Sequence, residues 1–302
     1  MSATASAPST IGFLAPRDLA EALEMKRDRP DAVAIAGGTD LMVAVNFDRL
    51  RPPAFLDVSR LAELRAWERT NGSMFLGSGV TYARIVAELA SFTPLAQASR
   101  TVGSPQIRNL GTVGGNLGTA SPAGDALPVL AAYDAEIEVA SAARGRRALP
   151  WNEFLVGPKR SALEPDELIL GARWRVTEGP GSFSKIGTRN AMVIAVANLC
   201  LVVDRSTRSV RLAFGSVGPT MIRAFEAEAA AAAAMEEAGT WDDPTAPVAL
   251  SAFEAVAALV RDAVRPIDDV RGSAAYRRHG CGVMARRALA WALAEGRGEA
   301  TG

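Results

Sequence analysis

The sequence has almost none of the residues from which protein metal centres are built. Its 302 residues include two cysteines, Cys200 and Cys281, and one histidine, His279. Iron–sulfur clusters take four cysteine ligands, and structural zinc sites take four Cys or His ligands. We therefore assign no metal site to this chain and expect any metal centre to belong to other chains. Cys200 lies in the apolar run VIAVANLCLVV, which predicts a buried thiol.

Net charge and long apolar runs are also missing. The chain has 33 Lys and Arg residues against 33 Asp and Glu residues, which argues against a nucleic-acid-binding surface. No tract of about 18 apolar residues is present, so no membrane span is predicted. Residues 1–10 are small and polar, without the basic and apolar regions of a signal peptide. We interpret 1–10 as a disordered tail and expect a cytoplasmic protein.

The length predicts two domains. In the first, 11–178, the patterns predict helices at 16–26, 82–90, 93–100 and 125–134, and strands at 32–38, 55–58, 74–81, 135–141 and 167–176. The segment 176–182 is a candidate linker. In the second, 179–296, the patterns predict strands in SFSKIG, MVIAVANLCLVVD and SVRLAFGSV, then helices at 224–238, 248–264 and 272–296. Strands followed by helices indicate an α+β domain whose sheet is covered on one face.

Two glycine pairs are the most informative motifs. They are Gly37-Gly38 in AIAGGTDL and Gly114-Gly115 in TVGGNLGTASPAGDALP. Glycine permits a positive φ and leaves no Cβ in the way of a ligand, and successive exposed N–H groups form an anion-binding concavity. Two such loops predict a pyrophosphate held from two sides, as in a dinucleotide, and favour a flavin.

The first glycine loop fits neither common nucleotide-binding fingerprint. GGTDLM lacks the pattern G-x-G-x-x-G, it lacks the Lys-Ser/Thr ending of a P-loop, and the sequence predicts no helix at its glycines. We therefore expect this loop to bind phosphate through its backbone, with the Thr39 hydroxyl as an additional donor.

Four motifs occur in a recognisable order: AGGTDL, PQIRNLGTVGGNLGTASPAGDALPVL, FSKIGTRNAMVIA and DDVRGSAAYRRH. Together they resemble the FAD-binding medium subunit of molybdenum hydroxylases, the xanthine dehydrogenase and carbon monoxide dehydrogenase group. The resemblance runs from about Ile11 to Leu293. It implies a PCMH-type (vanillyl-alcohol-oxidase-like) FAD-binding domain of two subdomains, followed by a carbon monoxide dehydrogenase flavoprotein C-terminal α+β domain.

The same resemblance implies a set of FAD-binding residues. The first loop would wrap the pyrophosphate with Ile35, Ala36, Gly37, Gly38, Thr39, Asp40 and Leu41. The second loop would contribute Thr112, Gly115, Asn116 and Thr119. Asp125 would bond near the ribose or adenine, Ile169 would pack on the isoalloxazine ring, and Val102 matches by its spacing. Lys185 would lie close to the flavin, where its charge favours the reduced, anionic form.

Some of these residues have simpler structural explanations. Asp125 precedes ALPVLAAY and is also suited to capping a helix. Lys185 and Arg189 are also interpretable as solvated charges at a sheet edge. Core packing alone would explain Ile169.

The C-terminal element DDVRGSAAYRR need not touch a flavin. Its residues Arg271, Tyr276 and Arg277 could fix a helix or face a partner subunit, and we favour this structural interpretation. We interpret His279 as a surface residue.

The resemblance implies an oxidoreductase subunit that relays electrons and has no catalytic acid–base residues of its own. A molybdopterin-binding large subunit would oxidise the substrate, and a small subunit with [2Fe-2S] clusters would pass electrons to this chain's FAD. A dimer of heterotrimers is the expected assembly, with NAD, quinone or oxygen as terminal acceptor. Two alternatives stay open: a self-contained FAD-dependent oxidoreductase, or an FAD-loaded assembly protein without turnover.

Overall fold

The computed structural model describes residues 11–296, so the tail predicted for residues 1–10 lies outside the described part. The chain begins with a small parallel sheet of order β1-β3-β2. Its elements are β1 (Gly12–Leu14), α1 (Leu19–Asp28), β2 (Val33–Ile35), α2 (Leu41–Asn46), β3 (Ala54–Asp57) and a 3₁₀ turn (Ala62–Arg65). Helix α1 begins at Leu19 and not at Pro16 as predicted, because the Asp18 carboxylate accepts the Glu21 N–H at 2.8 Å and caps the helix.

A second, antiparallel sheet follows. The elements up to Arg175 are β4 (Trp67–Thr70), β5 (Ser73–Gly77), α3 (Tyr82–Glu88), α4 (Thr93–Thr101), α5 (Pro105–Leu110), α6 (Val113–Thr119), α7 (Leu127–Ala132), β6 (Glu136–Ser141), β7 (Gly145–Pro150), α8 (Trp151–Phe154), β8 (Leu155–Gly157), β9 (Arg160–Ser161) and β10 (Leu168–Arg175). The sheet has the order β4-β5-β10-β6-β7. All five helices from α3 to α7 are inserted between its strands β5 and β6.

The C-terminal part contains a four-stranded antiparallel sheet and three long helices. Its elements are β11 (Gly181–Ile186), β12 (Ala197–Asp204), β13 (Ser209–Gly215), β14 (Ile222–Arg223), α9 (Phe225–Glu237), α10 (Leu250–Ala263) and α11 (Ala274–Gly296). The strands pair in sequence order. The predicted sequence of strands and then helices is confirmed.

The prediction that this sheet is covered on one face is wrong. Every residue of β12 is buried. Leu199 and Leu201 join the core formed with α9, α10 and α11, whereas Cys200 and Val202 join the core of the preceding part. On that second face α4 packs against β11, and α7 packs against β12 and β13. A continuous apolar run such as LCLVV is typical of a strand buried on both faces.

Both glycine pairs lie in or near helices. Helix α2 begins at Leu41, three residues after Gly38, so no helix starts at the glycines of the first loop, as predicted. The second pair lies inside α6. Glycine is a poor helix former, but the Thr112 hydroxyl accepts the Gly115 N–H at 3.0 Å, and Val113 and Leu117 are buried. Capping and burial therefore offset the low propensity.

Two further observations bear on function. None of the helices within residues 11–296 is long and apolar enough to cross a membrane. Within the same range, no group of three or more His, Cys, Asp or Glu side chains is arranged to hold a metal ion. The domain boundary at 178/179 falls between β10 and β11 and stays a prediction.

Candidate functional site

The two glycine segments lie against each other, although they are distant in the sequence. A Cβ added to Gly37 would lie 1.9 Å from the Leu110 carbonyl oxygen, so these backbones are in direct contact. The Thr119 hydroxyl donates to the Asp40 carboxylate at 3.1 Å. The structure therefore brings the first loop and α6 together into one surface.

Helix α6 presents an open glycine face, which we define by Gly115 and Gly118. Both glycines are exposed, and residues three apart lie on the same side of a helix. Among the described residues, a Cβ on Gly115 would meet only the Thr112 hydroxyl at 3.3 Å, and one on Gly118 only the Ile169 Cδ1 at 3.7 Å. A backbone without side chains above it allows a ligand to approach closely.

The other glycine of the second pair has a different environment. A Cβ on Gly114 would lie 2.5 Å from the Ser78 Cβ and 2.6 Å from the Ser78 carbonyl oxygen. Gly114 is therefore required for packing, whereas Gly115 is open. The first pair divides similarly: Gly37 is packed, and Gly38 adopts a φ of +67°, which is in the left-handed region that glycine favours.

A buried polar cluster lies beside this surface and consists of Thr101, Asp125, Lys185 and Asn198. The Lys185 ammonium donates to the Asp125 carboxylate at 2.6 Å and to the Thr101 carbonyl at 3.1 Å. The Asn198 amide and the Thr101 hydroxyl also donate to Asp125, at 3.0 and 3.1 Å. Burial raises the pKa of Asp125, and its three donors partly oppose that shift.

This geometry decides between the interpretations of two residues. Helix α7 begins at Leu127 without a side-chain cap, so the capping interpretation of Asp125 is wrong. The Lys185 side chain is only 9% exposed, so the solvated-charge interpretation of Lys185 is wrong. Arg189 is exposed, as that interpretation requires. The ion pair between Asp125 and Lys185 joins the segment before α7 to the C-terminal sheet. The hydrogen bond from Lys185 to the Thr101 carbonyl joins the end of α4 to the same pair.

Asn116 connects the glycine face to the buried polar cluster. Its carboxamide oxygen is buried and has no hydrogen-bond partner within residues 11–296. The same oxygen lies 3.0 Å from the position that a Cβ on Gly124 would take, directly before Asp125. A buried acceptor without a partner requires a ligand or a water molecule to satisfy it. Asn116 is therefore suited to contact a bound ligand.

The remaining predicted residues lie at the borders of the site. Ile169 is half-buried, packs partly on the core, and faces Gly118 across the contact between α6 and β10. Val102 ends α4 next to Thr101 and also packs partly on the core. Core packing therefore accounts for part of the burial of both residues.

Sequence reasoning missed Thr101 and Asn198. Asn198 could have been found, because it is a single amide within the otherwise apolar run VIAVANLCLVV. A buried polar residue in such a run needs a hydrogen-bond partner, here Asp125. The sequence around Thr101 contains no comparable polar residue within an apolar run.

In the C-terminal element DDVRGSAAYRR, two arginines make intrachain contacts of the kind that the structural interpretation requires. Arg271 pairs with Asp269 at 2.6 Å, and the Arg277 side chain is buried and donates to Asp269 and to two backbone carbonyls. His279 is exposed and Cys200 is buried, as expected, and Cys281 is also buried.

Comparisons with known proteins identify the family. The model described as "FAD binding domain in molybdopterin dehydrogenase" matches residues 9–173. This chain belongs to that family. A second model, the "CO dehydrogenase flavoprotein C-terminal domain", matches residues 182–292. The family expected from the four motifs, the two-part α+β fold, and the FAD and oxidoreductase assignments that follow from the family are thus confirmed.

Several curated relatives extend over nearly the whole chain. The putative xanthine dehydrogenase FAD-binding subunit XdhB of Escherichia coli K12 is 31% identical over 291 residues, which cover 93% of this chain and 95% of the relative. The carbon monoxide dehydrogenase medium chain of Hydrogenophaga pseudoflava is 27% identical, with 94% and 98% covered.

Solved structures have the same fold. A carbon monoxide dehydrogenase from Hydrogenophaga pseudoflava superposes with a TM-score of 0.82 at 25% identity, covering 95% of this chain and 99% of the other. Quinoline 2-oxidoreductase from Pseudomonas putida 86 also gives a TM-score of 0.82, at 23% identity, with 95% and 98% covered.

Proposed function

We propose that this chain is the FAD-binding, electron-transferring subunit of a heteromeric molybdenum hydroxylase. The observation that carries the proposal is the open glycine face of α6, which lies against the first glycine loop in a chain of this family. Bare backbone on both sides of one surface suits the close approach of a large, anionic pyrophosphate. The first loop would supply the N–H donors, since the Gly114 and Gly115 N–H groups already donate to Ser78 and Thr112.

The described residues fit FAD. We propose that Ile35 to Leu41 and the glycine face hold the pyrophosphate, with Thr39 and Thr112 beside it. The Asn116 carboxamide oxygen, which lacks a partner among the described residues, would accept a hydrogen bond from the cofactor. Bound FAD would supply reversible one- and two-electron redox chemistry.

The buried polar cluster would act on the cofactor site through its charge. The Lys185 ammonium has three N–H donors, of which Asp125 and Thr101 take two. A positive charge near a flavin favours its reduced form. The Asp125 carboxylate at 2.6 Å offsets much of the Lys185 charge, so the position of Lys185 within the pair would set the size of this effect. We propose that Asp125 orients Lys185, in addition to any direct contact with the ribose or adenine.

The proposed partners rest on the family and on relatives that are subunits or medium chains of dehydrogenases. Residues 11–296 have no metal-binding cluster, and the family is named for molybdopterin dehydrogenases. The chain would therefore work with a molybdopterin-binding large subunit and a [2Fe-2S] small subunit, in a dimer of heterotrimers. The terminal acceptor would be NAD, quinone or oxygen, and the location cytoplasmic.

Purification of the tagged chain from its native cells tests this proposal. We expect stable co-purification with two partner chains in equal amounts, with one FAD per copy of this chain and with molybdenum and iron in the complex. A single chain that oxidises a substrate alone would favour a self-contained oxidoreductase. An FAD-loaded chain that leaves the mature complex would favour an assembly protein.

A further inference from the structure

Arg277 is a fully buried guanidinium at the beginning of α11. The residue is 1% exposed, its Nε has no partner within residues 11–296, and its two terminal nitrogens make all of its hydrogen bonds. Removing a guanidinium from water is costly even when the group is paired. A buried arginine with one unpaired N–H group therefore contributes little to stability. Its contacts indicate another role.

The contacts of Arg277 converge on the ends of two central strands. Its Nη1 donates to the Val196 carbonyl at 2.9 Å and to the Ser216 carbonyl at 2.6 Å. Val196 directly precedes β12, and Ser216 directly follows β13. Because these strands pair antiparallel with Asn198 opposite Gly215, the two carbonyls lie at the same end of the sheet. We call this arrangement the Arg277 clamp.

Each arm of the Arg277 clamp leads to one partner of the buried ion pair. The Val196 N–H donates to the Ile186 carbonyl at 2.8 Å, and Ile186 directly follows Lys185. The Ser216 N–H donates to the Pro122 carbonyl at 2.7 Å, three residues before Asp125. Arg277 therefore holds both backbone segments that bring Lys185 and Asp125 together.

The Ser216 arm has a backbone conformation that needs support. Ser216 has a φ of +64°, which non-glycine residues rarely adopt, and its buried hydroxyl lacks a partner among the described residues. Gly215 before it is tightly packed, since a Cβ there would lie 2.3 Å from the Asn198 carboxamide oxygen. Such conformations persist only where the surroundings impose them.

We propose that Arg277 is a positioning residue for the cofactor site. By holding Val196 and Ser216, it sets the geometry of the Lys185–Asp125 pair, since Lys185 lies at the same end of the C-terminal sheet as these two residues. This proposal rests on the proposed function, because it assigns the pair a role toward FAD. It gives DDVRGSAAYRR a purpose beyond fixing a helix.

The test is the affinity of the full chain for FAD, measured by titrating the deflavinated protein. Arg277→Lys keeps a positive charge, but its one ammonium cannot replace both the Nη1 atom, which holds the two carbonyls, and the Nη2 atom, which holds Asp269. We expect FAD to bind about tenfold more weakly, because one rigid group no longer ties the two arms to Asp269 through charge-assisted hydrogen bonds. The visible circular dichroism of the bound flavin should also change, since Lys185 and Asp125 shift relative to it.

Arg271→Lys is the matched control. Arg271 binds the same Asp269 carboxylate but neither strand end. Its variant should alter the melting temperature of the deflavinated chain without changing FAD affinity or the flavin spectrum. A double-mutant cycle adds a second test: combined with Asp125→Asn, Arg277→Lys should cost less affinity than it does alone, because both changes act on the same pair.

Three outcomes would overturn the proposal. They are an unchanged FAD affinity in folded Arg277→Lys, independent effects in the cycle, and a failure of Arg277→Lys to fold while Arg271→Lys folds, which would assign Arg277 to folding. If the wild-type chain itself does not bind FAD, the proposed function fails, and that result is distinct from all three.

Discussion

The glycine face of α6 exposes backbone, whereas the buried polar cluster encloses charged side chains, although Asn116 on α6 approaches Gly124, the residue before Asp125. Gly115 and Gly118 are open to solvent, and their function depends on the absence of a side chain. Asp125 is 6% exposed and accepts three hydrogen bonds from Lys185, Asn198 and Thr101.

The two regions should respond differently to amino-acid substitutions. An open backbone surface takes no part in the core, so a side chain added there affects a ligand more than the fold. A buried charge depends on every partner, since losing one leaves the other uncompensated in a poorly solvated place. Ligand binding and stability should therefore separate at the glycine face and remain coupled at the buried polar cluster.

The largest effect is expected from breaking the ion pair. Lys185→Met should destabilise the deflavinated chain by about 3–5 kcal/mol, because Asp125 loses its cation while still buried. The double variant with Asp125→Leu should recover part of that loss. Urea unfolding of the three proteins checks this, and a loss below about 1 kcal/mol would show that the pair is solvated and that the comparison fails.

The packed glycines should come next. Gly37→Ala and Gly114→Ala place a Cβ against the Leu110 carbonyl and against Ser78, where backbone atoms would have to move. Overpacking of this kind should cost about 3 kcal/mol. Thermal melts of deflavinated protein measure it. Wild-type stability of Gly37→Ala would contradict the close approach of the two glycine segments, and wild-type stability of Gly114→Ala would contradict the packing of α6 on Ser78.

The open glycines should show opposite signs for stability and binding. Gly115→Ala and Gly118→Ala remove helical glycines and should stabilise the deflavinated chain by about 0.5–1 kcal/mol each. Both should weaken FAD binding, because the added methyl enters the face that we propose FAD covers. FAD titration measures the change in affinity, and thermal melting measures the change in stability. Unchanged FAD affinity in both variants would show that FAD does not bind over the glycine face.

The smallest effect concerns pH. Because burial raises the pKa of Asp125 in the folded chain, protonation is easier there than in the unfolded chain. The contribution of Asp125 to stability is therefore fully present below the ordinary pKa of about 4 and is lost as pH rises through the raised value. The unfolding free energy of wild type minus that of Asp125→Asn should fall over this window. A rising difference would mean that Lys185 outweighs burial.

Much of the fold follows from the sequence because strong periodic patterns set its longest elements. The helices at 225–237, 250–263 and 274–296 and the strands β11 and β13 match the predicted segments, whereas β12 begins at Ala197, five residues after the predicted strand 192–204 begins. The second face of the C-terminal sheet was missed, because its cover comes from α4 and α7, which are far away in the chain. No local pattern records which helix packs on a distant strand.

The candidate site was predictable in part for a related reason. Glycine pairs with polar neighbours mark a backbone surface, but sequence does not distinguish packed Gly114 from open Gly115. That distinction depends on Ser78, which a different strand positions. Likewise the Lys185–Asp125 pair joins two segments that no spacing relates, so each residue alone suggested a solvated charge or a helix cap.

The doubly covered C-terminal sheet limits how this protein could be divided or recombined. Cutting the chain between β10 and β11 would uncover Phe183, Cys200 and Val202 on one fragment and the matching sides of α4 and α7 on the other. Each fragment would expose an apolar surface of the kind that drives aggregation. Chimeras between relatives should therefore exchange α4, α7 and the C-terminal sheet as one block, even though two family models divide the sequence there.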